Sequence, residues 1–214
     1  MEEPGVTRNP VARLTKPAYE SEEMVPFTVP EARRFVAAIL DDPWEALYLV
    51  AIFTGMREGE MFALQLADLD LDHGWAYVRR SVGGAKAKKA LKGTKNKASR
   101  RAVPLPPPVV EALRAHRKRV IAQKIETLNV FSNEDGGAPS RHNWPRRYFH
   151  PLLKRAGLPR IKVHDLRHSF VTLLIAFGVQ PEVIQGLGGW SDIRTLMTLR
   201  ACVPDDGRSR FAGP

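Results

Sequence analysis

Five side chains spread along this chain of 214 residues could act together on one anionic group: Arg57, Lys95, His164, Arg167 and Trp190. Two guanidiniums can grip the oxygens of a phosphate-like anion bidentately, without a metal. A lysine amine is a proton donor whose pKa follows its surroundings, whereas arginine stays charged. An imidazole accepts or donates a proton near neutral pH. An indole N–H donates one hydrogen bond. Such a set suits the charge that spreads over the equatorial oxygens during phosphoryl transfer.

Each residue is ordinary when taken alone. Arg57 lies in Thr54-Gly-Met-Arg-Glu-Gly-Glu60 and reads as a helix-start arginine paired with Glu60 one turn on. Lys95 sits in a lysine-rich run, and a charge run is usually a solvated face. His164 and Arg167, in His164-Asp-Leu-Arg-His168, share one helical face and would serve as a surface pair or a cap. Trp190 follows two glycines in Leu187-Gly-Gly-Trp-Ser-Asp-Ile and most simply packs at a helix end.

Composition narrows the class. Lys and Arg outnumber Asp and Glu by 33 to 23, a net charge of +10. Such a surface attracts polyanions, nucleic acid being the commonest; the bland alternative is a solvated basic protein with no such partner. The one cysteine, Cys202, allows no intrachain disulfide and fits a reducing, cytoplasmic setting. The N-terminus has no apolar signal-peptide core, and the longest apolar stretch, Leu47 to Phe53, is far too short to span a bilayer. No metal-ligand cluster, glycine-rich phosphate loop or serine nucleophile elbow is visible, so no metal or cofactor is expected.

The elements that would position these residues follow from periodicity and punctuation. Residues 1–27, rich in proline and glycine without sustained periodicity, read as a linker or arm. Thr28, Pro30 and Glu31 form a helix-start signature, predicting a helix to about Leu40. Asp42-Pro43 should open a second helix, apolar through Phe53 and closed by Gly55, and a third should run from Arg57 or Glu58 to Gln65. Residues 74–81 read as a strand and 82–105 as a basic β-hairpin ending in Val103-Pro104-Leu105. Its tip carries Lys86, Lys88, Lys89, Lys92, Lys95, Lys97, Arg100 and Arg101, candidates for contact with a polyanion. Helices are expected from Pro107 to about Lys124, over 140–156, 165–177 and 181–187, with a turn at Asp135–Gly137. The class is α+β, mostly helical, with a small antiparallel sheet.

Order and local context together point further than any single segment. Thr-Gly-x-Arg-x-Gly-Glu at 54–60, Thr94-Lys95 through Arg101-Ala-Val-Pro-Leu105, His164 to His168 and Leu187 to Ile193 resemble, one by one and in order, the active-site segments of the tyrosine recombinase (phage integrase) family. The resemblance covers about residues 28 to 197. It implies a catalytic domain over 28–198 that acts on double-stranded DNA and assembles with other recombinase subunits on it. It implies that Arg57 and Arg167 clamp the phosphate, that Lys95 protonates the departing 5′-oxygen and that His164 handles a proton. Trp190 would then offer its N–H to a phosphate oxygen. Glu60 would orient Arg57, and His168 is either a supporting residue or a core one. The family usually pairs this domain with a preceding core-binding domain, so the resemblance also implies a fragment that follows such a domain.

The family's nucleophile, a tyrosine nine residues after the tryptophan, is replaced here by Leu199. The tyrosines are Tyr19, Tyr48, Tyr77 and Tyr148, all ahead of Trp190. Leucine has no nucleophilic atom, so the expectation is a chain that does not cleave DNA by the family's route. The codons of Thr198 to Pro204, read one base out of register, permit Arg-Tyr-Ala-His-Val-Ser-Pro, which resembles the family's nucleophile segment. Residues 199–214 are therefore expected to be an aberrant, poorly ordered tail left by a one-base frameshift. The alternatives are a DNA-binding remnant that regulates an intact recombinase, and a subunit that receives its tyrosine from a partner.

Overall fold

Helix α1 (Val29–Ala38) opens with the capping box expected of Thr28 and Glu31. The Thr28 N–H donates to Glu31 Oε2 (2.8 Å), and the Glu31 N–H donates to Thr28 Oγ1 (3.4 Å). The computed structural model describes residues 26–82, 91–93 and 100–188. The helix stops short of Leu40 because Asp41 turns the chain with a left-handed φ of 62°. Phe27, assigned to the linker from sequence, is fully buried in the core, and its N–H donates to Ser169 Oγ (2.8 Å). The folded unit thus begins ahead of the expected boundary.

Helix α2 (Glu45–Thr54) is apolar on every face and is buried almost throughout, which makes it the central helix. It starts later than expected because Asp42 makes a turn of its own, Oδ1 accepting the Trp44 N–H (2.8 Å). Helix α3 (Glu58–Phe62) ends before Gln65. There the chain leaves to pair with residues 128–130: Val130 N–H donates to Leu64 O (2.8 Å) and Leu66 N–H to Leu128 O (2.9 Å). These long-range bonds replace the last helical turn.

Strands β1 (Leu69–Asp70), β2 (Trp75–Val78) and β5 (Arg101–Pro104) form an antiparallel sheet in the order β1-β2-β5, with Val78 opposite Arg101. Ala76 and Val78 face the core while Trp75 and Tyr77 face out, the alternation of a half-buried strand. Strands β3 (Arg80–Val82) and β4 (Leu91–Gly93) form a separate ladder. The strand expected over 74–81 therefore breaks at Arg79. At the break, Arg80 and Arg79 both reach the buried Asp68, at 2.7 and 3.4 Å.

Helix α4 (Pro107–Ala122) packs on α2 and ends just before Lys124, which has a left-handed φ of 54°. A wide turn over Pro145–Phe149 leads into α5 (His150–Arg155), the His150 N–H donating five residues back to Pro145 O. Pro151 has no N–H to support tighter winding there. Helices α6 (Val163–Ala176) and α7 (Pro181–Gly188) complete the described chain. The core gathers Phe35, Tyr48, Phe62, Trp144 and Phe149 between α1, α2, α3 and the 145–149 turn, with Tyr48 and Phe62 lying 5.4 and 5.6 Å from the Trp144 ring. The result is an α+β fold, mostly helical, in which α2 is sandwiched between α4 and α6. No described helix is long and apolar enough to cross a membrane.

Candidate active site

The site is built around the C-terminal end of α2. Thr54 Oγ1 donates to Val50 O (2.6 Å) and accepts the Met56 N–H (3.3 Å), tying the end of the helix to the chain that leaves it. Gly55 caps the helix in the left-handed region, φ 59°. A Cβ there would lie 2.5 Å from Phe170 Cδ1, so glycine suits both the turn and the close approach of α6. The turn aims the Gly55 carbonyl at Arg167 Nη1, which also donates to Gly188 O at the end of α7 (2.8 Å). Arg167 is thereby fixed by backbone from α2 and α7, with only 2% of its surface exposed.

Two residues after Gly55, Arg57 stands at the N-cap of α3. Its N–H donates to Glu60 Oε2 (2.9 Å) and its Nη1 to Glu60 Oε1 (2.9 Å). Glu60 is buried and receives a second guanidinium as well, that of Arg101 on β5. Burial by itself would raise the Glu60 pKa. Hydrogen bonds and charge from Arg101, then the contacts with Arg57, outweigh it and hold the carboxyl below its ordinary range. Gly59 lets α3 sit against β3, since a Cβ would lie 2.7 Å from Ser81 Oγ and 2.9 Å from Val82 O. Thr54, Arg57 and Glu60 are thus fixed by local bonds, and Gly55 and Gly59 by the close approach of α6 and β3.

His164 lies in the first turn of α6, one turn before the buried His168, the rings 5.0 Å apart and nearly perpendicular. The His164 pKa is pushed down to about 4, first by loss of hydration, then by His168 and Arg167, with Asp165 opposing and Arg57 adding to the fall. His164 is nevertheless exposed at the surface, so water screens part of that charge. Neutral His164 at physiological pH follows from the direction alone. The His168 pKa is lowered too, by burial and Arg167. Burial, then Arg57 and Arg101, lowers the Arg167 pKa, but a guanidinium stays charged at neutral pH. The mutual influence of Arg57, Arg101, Glu60, His164 and Arg167 marks one electrostatic cluster.

Lys95, Trp190 and Leu199 lie outside the described residues, as do Lys86, Lys88, Lys89 and Lys97, the arm over 1–25 and the tail over 199–214. Lys92 is placed on β4 by its backbone, and Arg100 is exposed. Arg101, named from sequence among the hairpin's candidates for contact with a polyanion, pairs with Glu60 and is 9% exposed at its side chain. Sequence reasoning also missed Arg141, whose Nε and Nη2 hold Glu58 at 2.9 and 2.8 Å. No local pattern joins residues 83 apart. An open groove of about 740 Å³ between α4 and β1, lined by Leu71, Arg117 and Ile121 among others, lies elsewhere and includes none of these residues.

The sequence profile of the phage integrase family matches residues 30–201. The chain belongs to that family. A curated relative, the XerC-like tyrosine recombinase of Caldanaerobacter subterraneus subsp. tengcongensis, is 30% identical over 80% of this chain and 48% of its own length. This integrase-family chain spans about half the length of the curated relatives it matches. Among solved structures, the Tn1549 transposon integrase in complex with transposon right end DNA aligns over 85% of this chain and 62% of its own, with TM-score 0.72 and 22% identity. The XerA recombinase crystal structure aligns over 86% and 61%, with TM-score 0.69 and 23% identity. These likenesses establish a shared fold.

Proposed function

We propose that this chain is the strand-transfer domain of a site-specific DNA recombinase, able to bind double-stranded DNA but unable to cleave it with Leu199 at the nucleophile position. The observation that carries the reading is the fixing of two arginines at one helix end: Arg57 by Glu60, and Arg167 by the carbonyls of Gly55 and Gly188. Fixed guanidiniums suit a phosphodiester whose charge grows during transfer, because no reorganisation is needed when it develops. Neutral His164 would accept a proton or a hydrogen bond at the same phosphate. Lys95 would protonate the departing 5′-oxygen, and Trp190 would donate its indole N–H. The supporting cations Lys86, Lys88, Lys89, Lys92, Lys97 and Arg100 would meet DNA phosphates, in a cytoplasmic setting and alongside other recombinase subunits. Arg101 is left out of that group by its ion pair.

Leu199 itself supports a second reading, in which the chain only binds DNA and occupies sites that an intact recombinase would use. Mixing with a partner that has the tyrosine but lacks both arginines separates the two readings from donation in trans. Cleavage in the mixture means donation. Binding alone means an occupant. Failure of the chain to bind duplex DNA at low salt contradicts all three.

A further inference from the structure

Arg101 sits on β5, at the end of the segment that carries Lys95, and its guanidinium lies against a buried carboxylate. Nη1 donates to Glu60 Oε1 (3.2 Å) and Nη2 to Oε2 (2.9 Å). The side chains of Arg101 and Glu60 are 9% and 3% exposed. The same two oxygens accept the N–H and Nη1 of Arg57, each at 2.9 Å. One carboxylate therefore holds guanidiniums from the N-cap of α3 and from β5, while 41% of the Arg57 side chain remains exposed.

The charge balance gives this arrangement a purpose. Arg57, Arg101 and Arg167 bring three positive charges and Glu60 one negative, which leaves +2 on the cluster. Without Arg101, Glu60 would offset Arg57 and leave +1. Resting on the reading of this cluster as a phosphodiester clamp, we propose that Arg101 is a positioning residue: it neutralises Glu60, so that Glu60 can orient Arg57 without cancelling its charge. Arg101 then acts on DNA only through Glu60 and Arg57.

The charged groups around Glu60 agree with this role. On its own helix are Arg57 and Glu58, the latter paired with Arg141. On β3, packed against α3, Arg80 is paired with the buried Asp68. On α6, Arg167 senses the Glu60 charge. Arg101 is the first of the groups that hold the Glu60 pKa down against burial, so its removal should raise that pKa.

The test uses the full chain and a short fluorescent duplex of mixed sequence, with binding followed by anisotropy across salt and pH. The variants are R57A, R101M, E60Q and E60Q/R101M. At mildly alkaline pH and low salt, R101M is expected to bind on the order of tenfold more weakly, with a log-affinity against log-salt slope shallower by about 0.9, the equivalent of one phosphate contact. The deficit should shrink as pH falls through the raised Glu60 pKa. E60Q/R101M should recover the lost salt slope and part of the affinity that R101M loses, the shortfall arising because a glutamine offers Arg57 one acceptor oxygen in place of two; this variant keeps the proposal testable if R101M does not fold. Carboxyl NMR of Glu60 without DNA should show its titration moved upward in R101M.

A deficit that is independent of pH and not relieved by E60Q would overturn the proposal, for Arg101 would then touch DNA itself or merely support the fold. An unmoved Glu60 titration would overturn it regardless of DNA. Identical binding by wild type and R57A would instead remove the phosphate clamp, and this inference with it.

Discussion

Replacing Gly55 with alanine tests whether the end of α2 is what fixes Arg167. Gly55 has φ 59°, and its hypothetical Cβ lies 2.5 and 2.9 Å from Cδ1 and Cε1 of Phe170. The left-handed conformation costs an alanine about 1–2 kcal/mol. Forcing a carbon into a packed ring costs about 1–3 kcal/mol more. Gly55→Ala should therefore destabilise the chain by about 2–5 kcal/mol, read by urea denaturation, and lower its melting temperature by roughly 2–4 °C for each kcal/mol. The two parts can be separated, because the conformational cost is local and the steric cost needs Phe170. In a double-mutant cycle with Phe170→Ala, the double variant should be more stable than the sum of the single effects by about 1–3 kcal/mol. DNA affinity should fall as well, since the Gly55 carbonyl no longer holds Arg167 in place. A loss below about 0.5 kcal/mol, within the range of an ordinary surface substitution, would refute the requirement for glycine. Strict additivity with Phe170→Ala would refute the steric part.

Three further outcomes are expected. The His164 ring should titrate near 4, so its NMR shifts should hardly move between neutral pH and mild acid. A folded pKa below the unfolded value of about 6.5 means that stability conferred by neutral His164 is lost as pH falls from there through about 4; an inflection above 6 in the folded chain would contradict the site's electrostatics. Ser169→Ala removes the acceptor for the buried Phe27 N–H and should cost about 1–3 kcal/mol in urea denaturation, with an unchanged midpoint showing that the contact is dispensable. Sequencing the gene over codons 198 to 204 should give a string whose one-base shift reads Arg-Tyr-Ala-His-Val-Ser-Pro, and codons that forbid it would make Leu199 a genuine residue.

Much of the arrangement was legible because it is local. Thr28 and Glu31 are three residues apart and cap a helix by themselves. Gly55 and Arg57 mark a helix end and the next start, and the order of the four segments carried the family. What escaped reading depends on partners far along the chain. Arg101 reads as one more hairpin cation, because nothing near it in sequence names Glu60, 41 residues away. The break at Arg79 reflects the buried Asp68, and the early end of α3 reflects pairing with residues 128–130. A lone aromatic among prolines shows no periodicity, so Phe27 reads as linker, yet it is wholly buried.

On the function proposed above, Arg57 and Arg167 belong to a DNA strand-transfer site that lacks its nucleophile. The direct measurement is covalent capture from a pool of nicked random-sequence duplexes, read as protein–DNA adducts that survive denaturing gel electrophoresis. The chain as it stands should yield none. The same chain with residues 198–204 rewritten as Arg-Tyr-Ala-His-Val-Ser-Pro should yield adducts, and adding Arg57→Ala or Arg167→Ala to it should slow their formation by on the order of 10² or more. Adducts from the chain carrying Leu199, or none from a rewritten chain that binds the pool, would contradict a strand-transfer role for these arginines.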